Sequence, residues 1–236
     1  MIGNSLPSSY TPCKATTEDL RKILDTYCES KATEDIDYLQ KLGGEQWLKD
    51  NLLANFEKGI SSSEVEGRRA QYGANKFKRP TRDPGCCGSL TGKKKEIDEE
   101  EKKWQAEDAK HKVEVCRDGV WKEVHYSDLV VGDLVKVTPQ LARIHHDAWI
   151  IETNGLSVDE SEMTGEPQFL KKATLKECVE FNNKAEKEGK TQRIDFASPI
   201  LLSGSKIISG EGKAIVLLVG EESQYGKISP LLIMPN

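Results

Sequence analysis

Val113-Glu114-Val115-Cys116-Arg117-Asp118-Gly119-Val120-Trp121 decides the fold: alternating β-branched residues run into an Asp-Gly pair and leave it through Val-Trp. Asp-Gly between such runs is a strong short-range signal for a hairpin. A second unit follows, with Leu129-Val130-Val131 and Leu134-Val135-Lys136-Val137 around Gly132-Asp133. Ala148-Trp149-Ile150-Ile151 then leads to a turn at Asn154-Gly155 and on to Ser157-Val158-Asp159. Pro199-Ile200-Leu201-Leu202, Ser205-Lys206-Ile207-Ile208 and 212–219 read as three more strands, divided by Gly204 and Gly210. Many short strands with regular turns predict a compact all-β unit, a sandwich or distorted barrel. Tyr225-Gly226-Lys227-Ile228 starts a helix or linker after it.

Working toward the amino terminus, the period changes from two to 3.6. Leu20, Ile23, Leu24 and Tyr27 fall at i, i+3, i+4 and i+7 behind the capping signal Thr17-Glu18-Asp19. Ile36, Leu39 and Leu42 mark a second helix, which Gly43-Gly44 breaks. Trp47, Leu48, Leu52 and Phe56 resume the helical spacing up to Gly59. Ser61-Ser62-Ser63-Glu64 offers a new cap, and Val65, Arg69 and Tyr72 lead to a stop at Gly73. The fold class is therefore α+β: short helices followed by the β unit.

Between these parts, Pro80, Pro84, Gly85, Gly88 and Gly92 punctuate a linker without apolar periodicity. Residues 93–112 carry acids and bases in equal number, with Asp98–Lys102 and Glu99–Lys103 at i,i+4, which reads as a solvated helix. The organisation expected is a helical segment 1–80, a linker 81–96, and a unit 97–231 with a polar, Lys/Glu-rich insertion at 169–198.

Composition narrows the function classes. The 236 residues have a net charge of −5, which argues against a general nucleic-acid binder. The longest pure apolar run is 214–219, far below the roughly 20 residues that cross a bilayer. The opening Met1-Ile2-Gly3-Asn4-Ser5 lacks the charge and apolar core of a secretory signal. Cys13, Cys28, Cys86, Cys87, Cys116 and Cys178 form no Cys-x-x-Cys pair and read as reduced thiols. The helices at 17–58 are not basic enough for a calmodulin target.

The chemistry concentrates in Val158-Asp159-Glu160-Ser161-Glu162-Met163-Thr164-Gly165-Glu166-Pro167. Gly165, without a Cβ, allows close approach to another molecule, and Pro167 biases Glu166 away from helical geometry. The result is a loop carboxylate placed to meet a water or a cation. Asp159, Glu160 and Ser161 read as supports of that loop, since Asp and Ser at turns bond neighbouring backbone N–H groups. Lys206 and Lys213 read as solvated strand positions.

The order Leu129 to Val137, Asp147, Val158-Asp159-Glu160-Ser161, Thr164-Gly165-Glu166, Leu201-Leu202-Ser203-Gly204-Ser205, Val219-Gly220 and Tyr225-Gly226-Lys227-Ile228 resembles the actuator domain of P-type cation ATPases. It is most similar to the calcium pumps of the plasma-membrane type. Leu42-Gly43-Gly44, Arg68-Arg69 and Tyr72-Gly73-Ala74-Asn75 resemble the cytosolic amino-terminal segment of the same pumps. The resemblance covers roughly 40–80 and 97–231. It implies that Glu166 is the catalytic general base that deprotonates the water hydrolysing an aspartyl phosphate, with Thr164 and Gly165 shaping the loop. A carboxylate within hydrogen-bond reach of water suits that role. It implies Mg²⁺ and ATP as cofactors of the complete pump, with no cofactor or metal ligand in this chain. The partners implied are the phosphorylation and nucleotide-binding domains of the same pump, at the cytosolic face of a membrane. An actuator of another cation pump, or a free-standing interaction module, stands as the alternative.

Several positions depart from that pattern. Pro167 replaces the serine of Thr-Gly-Glu-Ser, which predicts altered loop stiffness with the carboxylate retained. Gln140 to His146 replaces the residues before the aspartate of Gly-Asp…Pro-Ala-Asp, leaving Asp147 in the last position. His145-His146 reads as a pair of exposed turn residues rather than a metal site, since neighbours on a strand face opposite ways. The interval 81–96 stands where such pumps have two membrane helices, and no Asp-Lys-Thr-Gly-Thr phosphorylation motif occurs. By itself the chain is therefore not expected to hydrolyse ATP.

Overall fold

Thr16 opens the first helix with a capping box: its hydroxyl accepts from Asp19 N–H, and the Asp19 carboxylate accepts from Thr16 N–H at 2.8 Å. The structure is a computed structural model that describes residues 10–30, 33–77, 111–141, 143–164 and 169–232. This helix, α1 (Thr17–Glu29), buries Leu20, Ile23, Leu24 and Tyr27 along one stripe. A cap contributes about 1 kcal/mol, whereas each fully buried leucine contributes about 1.5–3. Docking of the stripe therefore outweighs the cap. Helix α2 (Glu34–Leu42) ends on Gly43, and α3 (Glu45–Asn51) follows at once. The spacing through Leu52 and Phe56 predicted a longer helix. Instead the chain turns out of helical geometry at Leu53, whose φ is 52°. Ser61 and Glu64 form a second capping box, and α4 (Val65–Tyr72) follows.

The β unit is a seven-stranded antiparallel sheet among the described residues, and it is not closed into a barrel. Its strands are β1 (Lys112–Arg117), β2 (Val120–His125), β3 (Leu134–Val137), β4 (His146–Asp159), β5 (Phe169–Lys171), β6 (Ile200–Leu201) and β7 (Lys206–Val219). The order is β2-β1-β3-β7-β4-β5, with β6 also on β4. Asp118-Gly119 makes the β1–β2 hairpin, pairing Arg117 with Val120. Leu129-Val130-Val131 was expected as a strand but is a buried turn: Val130 N–H donates to the Asp133 carboxylate at 2.8 Å, and Gly132 N–H to Val216 O.

Asn154-Gly155 and Gly210 were read as breaks between strands, yet β4 and β7 run through them as long partners. The register shifts between Asn154 and Ser157. Gly155 and Gly210 take φ of 65° and 75°, and a Cβ on Gly210 would lie 2.2 Å from Gly155 O. Two facing glycines thus let the strand pair kink where it would otherwise end.

The insertion carries α6 (Leu175–Lys187), capped by Thr174 and Glu177. It buries Cys178, Asn182 and Ala185, and Thr33 of the amino-terminal part donates to Glu186 at 2.9 Å. The last helix is α7 (Gln224–Leu232). One apolar cluster joins Leu20, Ile23 and Leu24 to Leu134, Trp149 and Ile215. No helix among the described residues is long and apolar enough to cross a membrane. The charged helix expected over 93–112 lies outside the described residues, apart from His111 and Lys112, which opens β1.

Candidate functional site

The stretch singled out from the sequence joins two antiparallel strands. Asp159, the last residue of β4, pairs with Phe169, the first of β5, and Val158 with Leu170. Between them a single helical turn, α5 (Ser161–Thr164), leads toward Gly165 and Glu166. Gly165, Glu166 and Pro167 lie outside the described residues, as does the side chain of Thr164. The structure therefore describes how the two ends of this connection are held.

Period two sends Val158 and Glu160 to the interior and Asp159 outward. Asp159 accepts from Ser161 N–H at 2.9 Å, and its bonds from the Ser161 hydroxyl and amide hold its pKa below the usual carboxylate value. Glu160 is buried and lies 2.7 Å from Lys172 Nζ. Its other oxygen accepts from the Tyr27 hydroxyl at 2.6 Å. Burial pushes the Lys172 pKa down while Glu160 opposes the shift, and burial followed by Glu160 pushes the Tyr27 phenol well up.

On the outer side, Glu162 pairs with Lys206 at 2.6 Å and with Arg143 at 2.5 Å. The Lys206 bond, then Arg143, hold its pKa low. Met163 packs on the turn after β6, where Gly204 has φ 92° and a Cβ would lie 2.5 Å from Met163 Sδ. Lys206 is exposed, as expected of a solvated strand position, and is also paired beside the connection. Lys213 is likewise paired, with Glu152 at 2.7 Å.

Asp147 ties β4 to the carboxyl-terminal helix. Its Oδ1 accepts from Ser203 N–H and Oγ–H at 2.7 and 2.8 Å, and its Oδ2 from Gln224 N–H at 2.8 Å. Burial pushes its pKa up to about 6, against those hydrogen bonds. The neighbouring histidines correct the sequence reading. His145 is half-buried and stacks on Tyr126 at 4.2 Å, while His146 is fully buried at the start of β4. β4 is an interior strand of the sheet, and His146 and Asp147 at its start are both buried.

Among the described residues, no group of three or more His, Cys, Asp or Glu side chains is arranged to hold a metal ion. No step is assigned to Mg²⁺ on these side chains. The carboxylates beside the connection are already engaged: Asp159 by Ser161, Glu160 by Lys172 and Tyr27, Glu162 by Arg143 and Lys206.

Residues 107–233, more than half of the chain, match the family model for the P-type ATPase actuator domain. The chain belongs to the P-type ATPase actuator family. Residues 42–86 of this actuator chain also match the model for the amino terminus of cation transporters and ATPases. It is similar to calcium-transporting ATPase 2 of Schizosaccharomyces pombe, 36% identical over 53% of this chain and 9% of that protein. It is 35% identical to plasma membrane calcium-transporting ATPase mca-1 of Caenorhabditis elegans, over 51% of this chain and 8% of the relative. Human plasma membrane calcium-transporting ATPase 3 is 32% identical over the same shares. The matched stretch is thus less than a tenth of the length of these relatives.

Reading the actuator sequence alone missed Tyr27, Lys172, Arg143 and Met163. Lys172 left a signal, since it shares a strand face with the core residue Leu170. Tyr27 was legible as part of an apolar stripe, but nothing local shows where its hydroxyl goes.

Proposed function

We propose that this actuator domain serves a calcium-transporting P-type pump by driving hydrolysis of its aspartyl phosphate, with Glu166 as general base. The observation that carries the reading is the Thr164-Gly165-Glu166 segment itself, at the end of a strand pair whose flanking carboxylates are all engaged. The resemblance to the Thr-Gly-Glu loop of P-type pumps supports giving the water molecule to Glu166. Its carboxylate takes a proton as the water oxygen attacks phosphorus, the bond between phosphorus and the aspartyl oxygen breaks, and inorganic phosphate leaves a regenerated aspartate. Thr164 and Gly165 shape the approach, and Asp159, Glu160 and Ser161 hold its base. Mg²⁺ held by the phosphorylation domain would offset the phosphate charge that a carboxylate must approach. ATP is used in the nucleotide-binding and phosphorylation domains, which are the partners of this unit at the cytosolic face of the membrane. In this reading 1–80 is the amino-terminal cytosolic segment, 81–96 a linker and 97–231 the actuator, with the insertion at 169–198.

The calcium-pump relatives support the choice of ion. The test is a calcium pump carrying this chain as its actuator, phosphorylated from labelled ATP and then chased. Glu166→Gln should slow loss of the label by roughly 10²–10⁴-fold, the usual range for removing a general base, and leave label incorporation intact. Unchanged decay would overturn the role of Glu166.

A further inference from the structure

Four charged side chains converge on the ring of Tyr27. Glu160, Lys172 and Asp35 are almost fully buried, and Arg193 is mostly so. Lys172 Nζ lies 4.5 Å and Arg193 Cζ 4.8 Å from the ring centroid, and Arg193 reaches Asp35 at 3.4 Å. The hydroxyl of Tyr27 donates to Glu160 and accepts from Lys172 Nζ at 2.7 Å, while Lys172 also donates to Ile200 O at 2.5 Å. Two acids and two bases balance in charge. Burying such a set is unfavourable compared with apolar packing of the same volume, so stability alone does not account for it.

Its placement along the chain does. Glu160 is the residue before α5, and its carbonyl accepts from Met163 N–H at 2.9 Å to start that turn. Lys172 follows β5, on the return side of the same connection. Tyr27 comes from α1, which is held to α7 by Lys227–Asp25 at 3.1 Å and to the turn before α7 by Arg21–Glu222. A single hydroxyl thus links the residue entering the connection, the residue leaving it, and the amino-terminal helix.

We propose that Tyr27 is a positioning residue for the Thr164-Gly165-Glu166 segment, clamping Glu160 at its entry to Lys172 at its exit, so that α1 governs how firmly the segment is presented. The inference rests on the reading of Glu166 as the general base. Glu160 and Lys172 also pair directly at 2.7 Å, so a phenylalanine would fill the same volume, keep that pair and remove only the hydroxyl bonds that tie α1 to both.

Two measurements test it. In the isolated chain, amide hydrogen exchange over 161–171 should quicken roughly tenfold in Tyr27→Phe, as for loss of one charge-assisted hydrogen bond, with the thermal midpoint lowered by a few degrees. In the pump carrying this chain, Tyr27→Phe should slow phosphoenzyme decay by a similar factor and leave its formation from ATP unaltered. A purely structural role would lower the midpoint, quicken exchange throughout the chain and not separate the two half-reactions. If Tyr27→Phe does not fold, Glu160→Gln combined with Lys172→Met removes both charges together and is read the same way. Wild-type exchange and wild-type decay in the folded variant would overturn the clamp. If Glu166→Gln decays normally while Tyr27→Phe still frees 161–171, the general-base reading fails and the clamp stands. If Glu166→Gln is slow and Tyr27→Phe matches wild type in both measurements, the clamp is removed and the general base stands.

Discussion

His146 and Asp147 are consecutive, both fully buried, and shifted in opposite directions. Burial, then the neighbouring His145, lowers the His146 pKa to about 3 from 6.5, while burial raises Asp147 to about 6 from 3.8. Neither ring nitrogen of His146 has a hydrogen-bond partner among the described residues. The depressed histidine contributes stability that is present above pH 6.5 and lost as pH falls through 3, at most about 5 kcal/mol. The raised aspartate contributes stability that is present below pH 3.8 and lost as pH rises through 6, about 3 kcal/mol. Between about pH 4 and 6 the two slopes oppose and nearly cancel. His146→Leu should therefore expose a stability that falls with rising pH, and Asp147→Asn one that rises. Urea midpoints at pH 4, 5 and 6 check both, and variants that keep the wild-type slope would refute the assignment. The sequence placed Asp147 in a family pattern but read both histidines as exposed, because a polar pair after a loop gives no local sign of which strand face meets the core.

At the scale of elements, the amino-terminal segment is joined to the β unit by buried polar clips. Arg68 donates to Leu52 O at 3.0 Å and Val131 O at 3.2 Å, besides pairing with Glu64. Within the amino-terminal segment, the Tyr72 hydroxyl donates to Ala15 O at 2.6 Å. Asn75 donates to Tyr126 O at 2.9 Å and accepts from Gly220 N–H at 2.8 Å. These bonds give a physical role to Tyr72-Gly73-Ala74-Asn75, which the sequence showed as a motif without a partner. Asn75→Ala leaves a buried N–H and C=O unpaired and should cost about 2–4 kcal/mol. That cost would be seen as a lower urea midpoint with an unchanged slope. A midpoint equal to wild type would mean water replaces the amide.

For the whole molecule, the decisive fact is that the helices and the sheet share one apolar cluster. Leu20, Leu24, Leu48 and Leu52 are fully buried, as is Trp149 in β4. The helices therefore cannot leave without exposing the sheet. Unfolding in urea should be a single transition, with far-UV dichroism and tryptophan fluorescence coinciding. Two separated transitions would show that 1–80 folds apart from 97–231.

Local signals were sufficient for the helix stripes, the Asp118-Gly119 hairpin, the α+β class and the family motif, because each depends on neighbours within a few residues. They were misleading at Gly155 and Gly210, where turn chemistry announced breaks and only the opposite strand shows a kink. The bonds of Tyr27 to Glu160 and Lys172 belonged to the tertiary structure alone. Tyr27 and Glu160 are 133 residues apart, and a hydroxyl on an apolar helix stripe takes its meaning from the charge that folding brings to it.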